Sequence, residues 1–121
     1  MMDDAAGQIA NEFIARYEVA WNHGAEAVAK LYTADSVLVG YVTAIGRPEI
    51  SKLLGGIIGQ GWTQIKIKTV NVRKVGDVIL IANTYTAIGS GANAGKTLDA
   101  TASHVLTHAD GAWLSTLHTA R

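Results

Sequence analysis

The sequence predicts an α+β fold, a curved antiparallel sheet wrapped around N-terminal helices, forming one domain over residues 1–121. Three observations carry that prediction. Ile9, Phe13, Tyr17 and Trp21 recur every four residues, which lines them along one face of a helix. From Thr63 onward the apolar pattern changes to alternation, as in Ile65-Lys66-Ile67-Lys68, the mark of half-buried strands. Between the last two alternating segments stands Asp110-Gly111, a dipeptide suited to the two-residue turn of a hairpin. Helices first and a run of strands afterwards give a sheet covered on one face by helices.

The elements follow in order. Asp3 or Asp4 is placed to cap the first helix, because a carboxylate accepts an otherwise unpaired N–H of the first turn. His23-Gly24 ends that helix, glycine being free to take the left-handed closing conformation. A second short helix is expected over residues 25–32, carrying Val28, Leu31 and Tyr32. Residues 36–42 are rich in β-branched side chains and read as a strand. Pro48 sits where a third helix begins, since its missing N–H would be unpaired there anyway. Ile50, Leu53, Leu54, Ile57 and Ile58 follow at helical spacing, while Gly55, Gly56 and Gly59 each weaken the helix by about 1 kcal/mol relative to alanine. In the long strand from Thr63 the apolar parity slips from Ile65 and Ile67 to Val70 and Val72, so a bulge is expected near residues 68–70. Such a bulge also curves the sheet. Gly76-Asp77 turns the chain into a mostly apolar and hence central strand over residues 78–88. A glycine-rich loop at 89–95 and strands over 98–107 and 112–119 complete the sheet.

Composition narrows the function classes. Apolar residues make up 49% of the 121, enough for a core at this length. Ten basic and ten acidic residues cancel, which argues against a nucleic-acid or anionic-membrane partner, since both want a basic face. The chain has no cysteine, which removes disulfides, thiol chemistry and cysteine metal sites, and suits a reducing cytoplasm. The acidic start is unlike a secretory signal, and the longest apolar run, residues 78–82, is too short to cross a bilayer. A soluble, cytoplasmic protein is expected. No cofactor is expected: the glycine-rich loop joins two strands and does not open a helix as a phosphate-binding loop would. No metal is expected either, because the four histidines lack ligand spacing.

Three segments stand in a telling order and at telling distances. Ala15-Arg16-Tyr17 runs through Trp21-Asn22-His23-Gly24 to Leu31-Tyr32-Thr33-Ala34-Asp35. Gly46-Arg47-Pro48-Glu49-Ile50 follows, and Asp110-Gly111-Ala112-Trp113 leads to Leu117-His118-Thr119. On these segments nearly the whole chain resembles the nuclear transport factor 2-like superfamily, a cystatin-like α+β cone that includes ketosteroid isomerases and SnoaL-like cyclases. The resemblance implies a deep cavity between the helices and the concave sheet face, and a homodimer paired through the outer face. Against the ketosteroid isomerase pattern, Tyr17 matches the hydrogen-bond-donating tyrosine, and Asp99 stands near the position of a second, neutral acid donor. The carboxylate base implied near Gly40 has no counterpart, because Val39, Gly40 and Tyr41 carry none. The steroid isomerase's own proton shuttle is therefore not expected here.

The candidate site residues each have two readings. Tyr17 is a core tyrosine or a pocket-facing donor. Asp99 is a solvated strand-end carboxylate or an acid kept protonated by an apolar pocket. His104 and His118 lie on the two strands of the last hairpin, and histidine is the usual acid–base group near neutral pH. A two-residue turn puts His104 on one face with Leu106 and Trp113 and sends His118 to the other, and a three-residue turn swaps them. In either case only one histidine is expected to see the cavity. Trp21 and Trp113 take core positions, Tyr32 packs at the end of the second helix, and Trp62 is a lid or a dimer contact. Asn83 and Tyr85 share a strand face. These six are the expected pocket lining. The function expected is that of a small-molecule pocket protein. One form is an isomerase-, cyclase- or lyase-type enzyme for a small apolar or carbonyl-bearing ligand, with Tyr17, Asp99 and a histidine as catalytic groups. The other is a non-catalytic ligand-binding or dimeric association domain.

Overall fold

A computed structural model describes residues 4–121. Helix α1 spans Asp4–Trp21, α2 Ala25–Ala29 and α3 Arg47–Gly59. The strands are β1 Tyr32–Val39, β2 Thr43–Ile45, β3 Trp62–Val75, β4 Val78–Gly89, β5 Thr97–Ala109 and β6 Ala112–Ala120. They form a six-stranded sheet in the order β2-β1-β6-β5-β4-β3. The expected α+β cone is present, with the helices against the concave face. The cap expected from Asp3 or Asp4 falls on side chains outside the described ones.

The predicted stripe of α1 is the core. Phe13, Tyr17 and Trp21 are buried, with Ala6 and Ala10 above them, and they pack against Ile65, Val72, Ile79, Ile81 and Leu106 of the sheet. Gly24 adopts φ 100° where α1 gives way to α2. The second helix is shorter than expected and stops at Ala29. Tyr32 therefore opens β1 and does not close a helix. The Ser115 N–H donates to the Leu31 carbonyl at 2.8 Å and pulls this stretch into the sheet, a tertiary contact that local pattern does not reveal. Around residues 40–42 the chain reverses, the Gly40 N–H bonding the Val42 carbonyl at 3.0 Å, so β1 ends at Val39 and a three-residue β2 pairs with it. β1 joins β6 in parallel, whereas the other pairings are antiparallel. Arg47, at the start of α3, donates through Nε and Nη2 to the Tyr32 carbonyl at 3.2 and 2.6 Å and ties helix to strand.

Among the register shifts that curve the sheet, two bear on the cavity. In β3 the register runs Thr69↔Asn83 and then Asn71↔Ala82, so Val70 is the extra residue, within the segment predicted. In β6 the register runs Val105↔Leu117 and then Leu106↔Ser115, so Thr116 is extra, and nothing in the apolar pattern announced it. Between the paired strands β5 and β6, Asp110 and Gly111 take φ 54° and 80°, the conformation a two-residue hairpin turn requires. β3 is an edge strand, and the Glu18 carboxylate of α1 accepts the Ile67 N–H at 2.8 Å, covering part of that open edge.

Candidate functional site

The cone encloses a cavity of about 430 Å³. α1 contributes Tyr17 and Trp21, α3 contributes Leu53, Leu54 and Ile57, and the concave face contributes the inward positions of β1 and β3–β6. Inward positions follow from register, because residues directly opposite one another share a face. Asn83 lies opposite Ala102 and Tyr85 opposite Ala100, both pairs inward. Tyr41, 91% exposed, marks the mouth together with the exposed Leu98.

At one end of the cavity five neutral polar side chains converge. Tyr17 and Tyr32 share a hydrogen bond at 2.7 Å between their hydroxyls. The Tyr32 hydroxyl also meets His118 Nδ1 at 2.7 Å. The His118 ring stacks on His104 with centroids 3.8 Å apart and planes 15° apart. His104 Nδ1 lies 2.9 Å from Ser115 Oγ, and Ser115 Oγ–H donates to the Leu117 carbonyl at 3.2 Å. Ser115 has one proton, so its remaining role toward His104 is to accept. With the Ser115 proton directed to the Leu117 carbonyl, His104 takes the Nδ1–H tautomer and Nε2 is the acceptor.

Burial sets the protonation states. It raises the Tyr17 hydroxyl, a shift only partly offset by the bond to Tyr32. Burial also raises Tyr32 well above its ordinary value, with Tyr17 adding to the shift. Burial drives His104 well below the usual imidazole value, and the neighbouring His118 adds to it. Burial pushes His118 down to about 3. The cluster is therefore uncharged at neutral pH. Among the described residues no three His, Asp or Glu side chains come together as metal ligands.

The predicted site residues divide. Tyr17, Trp21, Asn83, Tyr85, His104 and His118 all line the cavity. That both histidines do so corrects the expectation that only one would. The turn has two residues, but the Thr116 bulge shifts the parity of β6 once more and brings His118 directly opposite His104. Trp62 opens β3 and lines the cavity, its carbonyl accepting Trp21 Nε1–H at 2.9 Å. Tyr32 stands one layer behind the wall, fully buried, and reaches the cavity through its two hydrogen-bond partners. Trp113 is not part of the lining: opposite His108 near the hairpin turn, it packs against that ring at 5.3 Å, and its carbonyl takes Arg16. Asp99 is not an interior acid. It pairs with Thr86 on the outward parity, is exposed, and accepts the Thr86 hydroxyl at 2.6 Å, touching the cavity only at its rim. Ala100 holds the inward position beside it. Sequence reasoning missed Ser115, which orients His104. Its signal was a small hydroxyl residue directly after the apolar Trp113-Leu114.

The cone and its cavity have the cystatin-like, nuclear transport factor 2-like fold. Comparison with solved structures shows the same fold. Aln2 from a Streptomyces species superposes with a TM-score of 0.82 at 14% identity, over 100% of this chain and 93% of its own. A cystatin-like domain of unknown function from Nostoc punctiforme gives 0.79 at 18% identity, over 98% of this chain and 78% of its own. A ketosteroid isomerase-like protein from Erwinia carotovora atroseptica gives 0.76 at 18% identity, over 93% and 92%. No family model matches the sequence, and no curated protein does. No described helix is long and apolar enough to cross a membrane.

Proposed function

We propose that the chain is a small-molecule pocket protein that takes an uncharged, largely apolar ligand into the cone and holds its polar end with neutral groups. One observation carries this reading: the distribution of polarity over the cavity wall. Its buried polar groups, Tyr17, Asn83, His104 and His118, sit among aliphatic and aromatic side chains. The charged residues on the wall, Asp99 and Arg121, are both exposed. An ionised ligand would find no counter-ion inside, and an unpaired buried charge is strongly unfavourable. Concave, mostly apolar and with a few convergent polar groups, the cavity has the character of a ligand site.

The Tyr17–Tyr32–His118 chain favours a second reading, an enzyme of isomerase, cyclase or lyase type. A histidine held near 3 is a weak base at neutral pH. In that reading the reactive contribution falls to the Tyr17 hydroxyl, donating to a ligand oxygen. Native mass spectrometry of the purified protein tests both. The expected result is a co-purifying neutral molecule that Tyr17→Phe still retains; if the wild type alters that molecule and Tyr17→Phe does not, the enzyme reading holds. A bound carboxylic acid or amine would sink the proposal.

We propose as well that two copies pair through the convex sheet face. Ile45, Val37, Leu117, Val105 and Leu80 stand directly opposite one another on consecutive strands β2, β1, β6, β5 and β4. They form an apolar row on the face away from the helices, with Ile45 61% exposed. A contiguous exposed row of this kind marks an interaction surface.

A further inference from the structure

We infer that the ligand of this cavity carries a hydrogen-bond donor, a hydroxyl or an N–H on an otherwise apolar ring, and that Asn83 and His104 receive it. The inference rests on the pocket reading above and adds the chemistry of the polar end. Asn83 is only 3% exposed, yet its Oδ1 is buried without a hydrogen-bond partner among the described residues. A buried acceptor left bare is destabilising, and native proteins tolerate few of them without a reason. Asn83 lies on the inward face of β4 and lines the cavity. It is opposite Ala102, and His104 stands two residues farther along β5 on the same face. The two side chains are thus diagonal neighbours across the pair of strands, within reach of one ligand group. Ala102 beside them is too small to fill that space.

His104 supplies the second acceptor. Ser115 donates its proton to the Leu117 carbonyl, which leaves the His104 Nδ1–H pointing at Ser115 and Nε2 without a proton. Asn83 Oδ1 and His104 Nε2 are therefore two acceptors that no side chain among the described residues supplies with a donor. Around them Tyr17, Trp21, Trp62 and Tyr85 offer aromatic walls suited to a flat ring. An acceptor-only ligand end, such as an ether, would leave both protein acceptors bare. A phenol, an alicyclic alcohol or an N–H heterocycle would satisfy at least one.

Calorimetric titration with two matched probe pairs tests this: 2-naphthol against 2-methoxynaphthalene, and indole against 1-methylindole. Wild-type protein is expected to bind the donor member of at least one pair about ten-fold more tightly. Which pair discriminates tells a hydroxyl site from an N–H site. Asn83→Leu is expected to abolish the preference and to raise the melting temperature of the ligand-free protein, since a bare buried amide gives way to an apolar side chain of similar shape. Equal binding within both pairs by the wild type overturns the inference and leaves the pocket reading standing. Failure of all four probes to bind removes the pocket reading and the inference with it. A preference that survives in Asn83→Leu moves donor recognition away from Asn83 and overturns its role. The wild-type comparison is decisive alone should the variant not fold.

Discussion

His104 and His118 stack at 3.8 Å although their hairpin turn by itself would send them to opposite faces of the sheet. The extra residue Thr116 reverses the parity of β6 between Ser115 and His118 and restores both to the inside. That single bulge assembles the polar end of the cavity. It places Ser115 under His104 and Tyr32 under His118, so each ring is held through Nδ1 from behind. Burial keeps both rings neutral, with Phe13, Tyr17 and Tyr32 packed against them.

Stability is expected to fall steeply with acid because of this pair. In the unfolded chain each imidazole takes a proton near its ordinary value of about 6.5. In the folded chain burial holds His118 at about 3 and His104 well below its ordinary value. Between those limits the unfolded state binds more protons, so stability is fully present above about pH 6.5 and is lost as pH falls below it. His118 alone removes roughly 2 kcal/mol between neutral pH and pH 5, and His104 acts in the same direction. The buried tyrosines act at the other end: their raised values keep them protonated in the fold, so stability declines as pH rises above about 10. Urea unfolding from pH 5 to 8 measures the acid limb, and His104→Phe should halve its slope. Unchanged stability between pH 7 and pH 5 would contradict the neutral buried pair.

Ser115→Ala is expected to release the tautomer. The His104 Nδ1–H then loses its acceptor in a buried site, which costs about 1–3 kcal/mol. Imidazole nitrogen shifts from NMR report which ring nitrogen carries the proton. In the wild type His104 should show a protonated Nδ1 and a bare Nε2, and in Ser115→Ala the Nε2–H form should grow. A wild-type spectrum with the proton on Nε2 would refute the assignment.

What could be read in the sequence depended on whether apolar residues recorded the geometry. The α1 stripe, Pro48 at the head of α3 and the parity slip at Val70 all wrote themselves in apolar spacing, and the structure has each of them. The Thr116 bulge did not, because Ser115 and His118, the inward residues on either side of it, are both polar. An alternation of apolar residues cannot register a slip between two polar ones. Tyr32 was misplaced because five helical residues are too few for a period, and a bond from Ser115 to Leu31, distant in sequence, decides where the strand begins. Asp99 carried two readings, solvated or interior, for a related reason. Its neighbour Leu98 is exposed, so parity in that stretch offered no core side chain to count from. Asn83 and Tyr85 were legible because they share parity with the buried Ile79, Ile81 and Ala87.

The convex face supports one more expectation, on assembly. Leu117 is central to the row that runs from Ile45 to Leu80, and it has neighbours of the row on both sides, Val37 and Val105. A stable pairing buries roughly 800 Å² per partner, about what one face of a sheet of this size can supply. Light scattering on the wild type should therefore report twice the mass of one chain. Leu117→Lys puts a charge at the centre of that contact, where desolvating it without a partner is unfavourable. The variant should run as a monomer. Its circular dichroism should be unchanged, because Leu117 touches solvent on its own chain and surface substitutions alter a fold by about 0.5 kcal/mol or less. A wild-type monomer would refute the pairing. A dimer that survives Leu117→Lys would place the contact on another surface.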